Sequence, residues 1–163
     1  MTPKQFANEI VLPGLRVLHS VGGPGVSAAA LQMMLAIAMQ ESGLEHRAQV
    51  IASGRPGPAR GWWQFEQGGG VAGVMQHPSS ATLARRLCEE CDVPFWAADV
   101  WRCLEGHDVL AVGFARLLLW TDPQPLPTTV GDGWDYYLRN WRPGKPHQPT
   151  WPSYWSQASE ALA

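Results

Sequence analysis

Apolar side chains recur at helical spacing in almost every part of this 163-residue chain, and nowhere do they show the sustained alternation of a half-buried strand. The clearest helix is capped by Ser27 and runs through Leu31 to a stop at Gly43. Further helical spacing fills residues 78–142. Residues 48–73 are the exception, because Gly, Pro and Arg dominate there and predict a long irregular loop or a small β-hairpin. The predicted fold class is therefore mainly α.

The length fits a single domain of residues 1–163, in which three parts can be distinguished. A core motif region covers residues 27–73, a helical remainder covers 78–142, and a C-terminal tail covers 143–163. Before the core motif region, Pro3 predicts the first turn of a helix, which Pro13 should kink or break.

Composition and charge exclude several classes of protein. Hydrophobic residues make up 45% of the chain and charged residues 16%, a balance typical of a packed globular protein and not of a disordered one. No apolar run is long enough to predict a membrane span. The formal net charge is -2 and there is no basic stripe, so nucleic acid is not an expected partner. The nine tryptophans either fill the core or stack on flat ligands such as sugars.

The three cysteines, Cys88, Cys91 and Cys103, are an odd number, which argues against a complete disulfide framework. Together with His107 they would supply four zinc-type ligands. The segment has the spacing of consecutive helices, however, and lacks the glycine-rich turns of a zinc ribbon. Buried free thiols are therefore the favoured interpretation and no metal is expected, although the sequence leaves zinc binding by these four residues open.

One carboxylate lies on the core side of the clearest helix. At about 100° per residue, Glu41 lies about 20° around the helix from Met34. It falls inside the apolar stripe of that helix, which is made by Leu31, Leu35 and Ala38. Burial and the negative end of the helix dipole should both raise its pKa, as a general acid requires. The alternative is a frayed helix end whose carboxylate points into water.

A second motif lies in residues 57–65, with the sequence Gly-Pro-Ala-Arg-Gly-Trp-Trp-Gln-Phe. A helix that ends in Glu41-Ser42, followed by Gly61-x-x-Gln64 and an apolar residue, resembles the signature of the lytic transglycosylase and goose-type lysozyme family. The resemblance covers residues 31–65 and implies a lysozyme-like fold.

The resemblance implies a role for each matching residue. Glu41 matches the catalytic acid/base, and Ser42 matches the residue beside it. Gly61 matches a glycine that lets the backbone approach a sugar ring closely. The amide of Gln64 offers both a donor and an acceptor to an acetamido group.

Aromatic residues near these motifs are the expected substrate contacts. Trp62 and Trp63 are neighbours in the second motif, so at least one indole is expected to face the cleft and stack on a sugar. Phe65 completes the motif as its apolar residue. In the family a tyrosine from the C-terminal part assists the acid, and Tyr136 or Tyr137 is the matching residue here.

The resemblance implies cleavage of the β-1,4 bond between N-acetylmuramic acid and N-acetylglucosamine in peptidoglycan. Glu41 would protonate the glycosidic oxygen and, in a transglycosylase, then take a proton from the muramyl C6 hydroxyl, so that no cofactor is needed. An inverting hydrolase needs a second carboxylate about 6.5–9.5 Å away, for which the candidates are Glu45, Glu66 and Asp132. Plant-type chitinases share a similar loop, which keeps chitin open as a substrate.

The expected partners are peptidoglycan strands and, in a phage or prophage setting, virion proteins. The N-terminus lacks a charged stretch followed by an apolar run, so no secretory signal is expected and a virion, holin or secretion machine would deliver the protein from the host cytoplasm to the periplasm or cell wall. A second hypothesis is a non-catalytic virion or assembly protein on the same scaffold. It is favoured by the polar Glu66 after Phe65, and by residues 111–116, which lack the family's Ala-Tyr-Asn motif.

Overall fold

A computed structural model describes residues 1–163, and eight helices with one short 3-10 turn hold 61% of them. The helices are α1 (residues 3–20), α2 (Ala28–Ser42), α3 (residues 67–76), α4 (Ala81–Glu90), α5 (Ala97–Cys103), α6 (Asp108–Trp120), α7 (Val130–Trp141) and α8 (Trp151–Leu162). The 3-10 turn, Gln148–Thr150, directly precedes α8. The prediction of a mainly α fold is confirmed, and no helix combines the length and the apolar character that crossing a membrane requires.

Helix α1 continues through Pro13, so the expectation of a break there is wrong. Its α-helical parts, Pro3–Phe6 and Leu12–Ser20, are joined by a π-helical turn, Ala7–Val11. A proline ring normally clashes with the carbonyl four residues earlier. The wider π turn lies over that stretch and opens the backbone there, which lets the helix carry on.

Two helices form the centre of the core because a long stretch of each is buried on all sides. In α2 every residue of 33–39 is buried, and in α6 every residue of 110–119 is buried. Helix α8 packs extensively along α2. Helix α1 crosses α6 closely at Gly14, where an added Cβ would lie 2.5 Å from the Cβ of Val112.

The segment predicted as an irregular loop or small hairpin forms a three-stranded antiparallel sheet, followed by α3. Its strands are β1 (Ala48–Val50), β2 (Pro56–Arg60) and β3 (Phe65–Glu66), in the order β1-β2-β3. In the β2–β3 pair, Ala59 lies opposite Glu66 and Arg60 opposite Phe65. A four-residue turn, residues 61–64, joins these two strands and carries the second sequence motif.

Candidate functional site

An open cleft of about 960 Å³ lies where α2 ends. Strand β3 and helix α3 line it, together with the end of α7 and the residues 142–147 that follow. Its volume lies in the range of ligand-binding pockets in other proteins. Glu41, Gln64 and Tyr137 all line this cleft, so the structure brings together three of the residues that the sequence analysis singled out.

Glu41 lies in the last turn of α2, a helix that begins at its Ser27 cap and ends at Gly43, whose φ of 61° is left-handed. Burial raises the pKa of the Glu41 carboxyl from 4.5 to about 7, and a hydrogen bond from Tyr137 opposes part of that rise. The expected rise in pKa is confirmed, and its main physical cause is removal of the carboxyl from water.

Tyr137 is the direct partner of this carboxyl. Its hydroxyl donates to Oε1 of Glu41 across 2.6 Å. Burial and the neighbouring Glu41 carboxyl raise the pKa of the Tyr137 hydroxyl well above its usual range, so the phenol stays protonated and remains a donor. Its ring stacks on Trp151, with centroids 5.3 Å apart and an angle of 13° between the planes.

Tyr136 faces away from the cleft. Its buried hydroxyl donates to the carbonyl of Leu119 across 2.8 Å, and its ring lines a separate hollow of about 440 Å³ on the other side of α7. Successive helical residues point about 100° apart, so only one of the two tyrosines can reach Glu41. Of the pair that the sequence left open, Tyr137 is the one that contacts Glu41.

Gln64 lies in the turn between β2 and β3 with a φ of 50°, which is unusual for a residue with a side chain. Its amide nitrogen donates to the carbonyl of Gly61 across 2.9 Å. Gly61 itself does not line the cleft. Its φ is 77°, and an added Cβ would lie 2.7 Å from the carbonyl oxygen of Leu104. The close approach that requires this glycine is therefore to the backbone after α5 and not to a sugar ring.

The expectation that Trp62 or Trp63 faces the cleft is wrong, because both indoles are buried in the protein body. The Trp62 nitrogen donates to Oδ1 of Asp108 across 3.0 Å, and the Arg47 guanidinium lies 4.2 Å from the ring centroid. The Trp63 nitrogen donates to the carbonyl of Met34 across 2.9 Å. A buried indole needs a partner for its N–H, and these two find theirs inside the fold, where they anchor the turn.

The side chains of Ser42 and Phe65 mainly contact other parts of the protein. Ser42 follows Glu41 as the resemblance implies, but its hydroxyl is buried, donates to the carbonyl of Ala38 and does not line the cleft, so the prediction that it binds substrate is wrong. Phe65 does line the cleft but is almost fully buried, with its ring edge-on to Trp141 at 6.0 Å.

Only one candidate for a second carboxylate shares the cleft with Glu41. Glu66 lines it with an exposed side chain. Glu45 is exposed beyond the end of α2 and does not line the cleft. Asp132 accepts a hydrogen bond from Thr129 at the start of α7 and lines the other hollow, so these last two predictions are wrong.

Several cleft residues were not found from the sequence. Trp141 lines the cleft, and its indole donates to the carbonyl of Trp63 across 3.0 Å. It lies four residues after Tyr137 on α7, a spacing that places both on one helix face and could have identified it. Arg142 and Lys145 also line the cleft with exposed cationic side chains. Neither apolar spacing nor a sequence motif pointed to them.

The three cysteines are free, and burial raises the pKa of the Cys88 thiol to about 12. Nowhere in the structure do three His, Cys, Asp or Glu side chains form a group that could hold a metal ion.

No protein-family model, curated protein or solved structure matches this chain.

Proposed function

We propose that the protein is a peptidoglycan-cleaving glycosidase with a lysozyme-like fold, in which Glu41 is the general acid and base. The observation that carries the proposal is the state of this carboxyl in an open cleft, where its pKa is about 7 and Tyr137 holds it in place. A group with a pKa near the working pH can both donate and accept a proton with little cost.

The proposed reaction uses this one carboxyl twice. Glu41 donates its proton to the glycosidic oxygen as the bond to the muramyl C1 breaks, and the proton leaves with the departing sugar. The resulting carboxylate then takes the proton of the muramyl C6 hydroxyl while that oxygen bonds to C1. The ring closes, no water is consumed and Glu41 regains its proton.

A single buried carboxylate favours this lytic transglycosylase reaction over hydrolysis. An inverting hydrolase needs a second carboxylate to activate water on the opposite face of the sugar. Glu66 is the only other carboxylate that lines the cleft, and it is exposed. The hydrolytic reaction, with Glu66 as base, is the second candidate.

The charge of one cleft wall favours peptidoglycan over chitin. Arg142 and Lys145 line that wall and form no ion pair, whereas Arg139 is already paired with Asp122 across 2.6 Å. Peptidoglycan carries carboxylates on its peptide stems, while chitin is uncharged. Two free cations therefore match the acidic glycan, on a chain whose formal net charge is -2.

The test compares wild type, Glu41→Gln and Glu45→Gln on purified peptidoglycan. Glu45 is the matched control because it is an exposed carboxyl outside the cleft. We expect wild type and Glu45→Gln to release muropeptides with anhydro ends and Glu41→Gln to release none. Cleavage that survives in Glu41→Gln rules out the acid role, and reducing ends indicate the hydrolytic reaction.

A wild-type protein that is folded and binds peptidoglycan without cleaving it would contradict the enzyme proposal. That result would favour the non-catalytic virion or assembly protein. Cleavage of chitin in preference to peptidoglycan would instead contradict the proposed substrate.

A further inference from the structure

The aromatic ring that stacks on Tyr137 belongs to Trp151, near the C-terminus. Trp151 is the first residue of α8 and is almost fully buried. Its indole lies nearly parallel to the Tyr137 ring in an offset stack, and its nitrogen donates to the carbonyl of Val130 across 2.9 Å. Because Val130 is the first residue of α7, one side chain fixes both the start of that helix and the tyrosine ring that it carries.

The turn before Trp151 also reaches the residue next to the acid. The Gln40 amide nitrogen donates to the carbonyl of His147 across 3.1 Å. The Thr150 hydroxyl lies within hydrogen-bond distance, 3.0 Å, of the Gln40 amide oxygen. Residues 147–151 therefore contact the end of α2 at Gln40 and the partner of Glu41 at Tyr137.

We propose that residues 147–151 position the acid of the cleft, and that Trp151 is a positioning residue that acts through Tyr137. The catalytic meaning of this inference rests on the function proposed above. A phenol against a stacked indole loses the freedom to turn, so its O–H stays directed at Oε1 of Glu41. Reacting groups that are held in one orientation react faster because fewer unproductive arrangements compete.

A purely structural tryptophan predicts a different result from a positioning one. If Trp151 only fills space, its removal weakens the fold to the same extent whether or not residue 137 bears a hydroxyl. If it acts through Tyr137, its effect on Glu41 disappears once the hydroxyl is gone. A double-mutant cycle on these two residues separates the alternatives.

The experiment measures the titration midpoint of the Glu41 carboxyl carbon by NMR in the full chain without substrate. The variants are Tyr137→Phe, Trp151→Leu and the two combined. Tyr137→Phe removes a hydrogen bond that favours the charged form, so the midpoint should rise by about 0.5–1 on the pH scale. Trp151→Leu should raise it in the same direction by a smaller amount, and the double variant should match Tyr137→Phe alone.

The control is Trp155→Leu, which removes another indole from α8. The Trp155 ring packs against Gly133 and Trp151 but makes no ring contact with Tyr137, so the midpoint should not move. Trp151→Phe keeps a stacking ring and should restore most of the wild-type value. If Trp151→Leu does not fold, Trp151→Phe replaces it in the cycle, with a smaller shift that must vanish in the Tyr137→Phe background.

Two outcomes overturn the inference. One is a shift from Trp151→Leu that is the same with and without the Tyr137 hydroxyl. The other is a fall in the midpoint, which would mean that water reaches the carboxyl directly. Neither outcome requires turnover, so the inference and the proposed function fail independently. Where peptidoglycan is cleaved, Trp151→Leu should lower kcat by about tenfold and leave KM within about twofold.

Discussion

Replacing Glu41 with Gln should make the protein more stable at neutral pH. The pKa of this carboxyl is about 7 in the folded protein against an ordinary value of 4.5, which the unfolded chain retains. Between these two values the folded state holds a proton that the unfolded state has released, so the free energy of unfolding falls as the pH rises. The two pKa values differ by about 2.5, and a difference of one in pKa corresponds to about 1.36 kcal/mol. The free energy of unfolding therefore falls by about 3 kcal/mol across this range.

Gln is neutral at every pH and can still accept the Tyr137 hydrogen bond, so the variant escapes this loss. The stability difference between Glu41→Gln and wild type should be nearly level below about pH 4.5. It should grow as the pH rises and reach a plateau of about 3 kcal/mol above about pH 7. The gain in stability would accompany the loss of activity, as expected where an active site holds a group in an unfavourable environment.

The assay is urea unfolding at a series of pH values from about 4 to 8, followed by tryptophan fluorescence. Groups elsewhere in the chain titrate equally in both proteins and cancel in the difference. Glu45→Gln serves as the control, and its curve should run parallel to that of wild type. A difference that does not change with pH, or that falls as the pH rises, refutes the assignment of a buried, proton-retaining Glu41.

Three further predictions concern the surroundings of this carboxyl. Tyr137→Phe should raise the pKa that the pH profile of kcat assigns to Glu41, because the hydrogen bond that lowers this pKa is lost. An unchanged profile would count against the contact. Trp63→Phe should cost about 1–3 kcal/mol in a urea titration while leaving affinity for peptidoglycan unchanged, since the indole is buried away from the cleft. Gly61→Ala should cost about 2 kcal/mol or more in the same titration, because its φ is left-handed and the new Cβ meets Leu104; a neutral effect would show that the turn can relax.

Helix ends were predictable wherever a local chemical signal marks them. Ser27 caps α2 and Gly43 ends it, and both were evident from residue type because capping depends on side chains only a few positions away. Helical spacing placed Glu41 on the core side of α2 but left open a frayed helix end that points into water. Spacing did not identify its partner, since the choice between Tyr136 and Tyr137 depends on how α7 is rotated against α2.

The sheet and the two motif tryptophans required the tertiary structure. Strands of three, five and two residues, rich in Gly and Pro, leave too few side chains for a periodic pattern. Trp62 and Trp63 resembled ligand contacts by their place in the sequence. Their direction is decided by Asp108 on α6 and Met34 on α2, which offer the hydrogen-bond acceptors for the two indoles.

The hydrogen bond between Glu41 and Tyr137 joins residues that are 96 positions apart. A contact of that span closes a long loop of the chain, which costs conformational entropy that other contacts must offset. During synthesis, the acid emerges long before the tyrosine and the stacked indole that hold it. A chain that is incomplete therefore carries the Glu41 side chain without the hydrogen bond and the stacked indole that hold it in place.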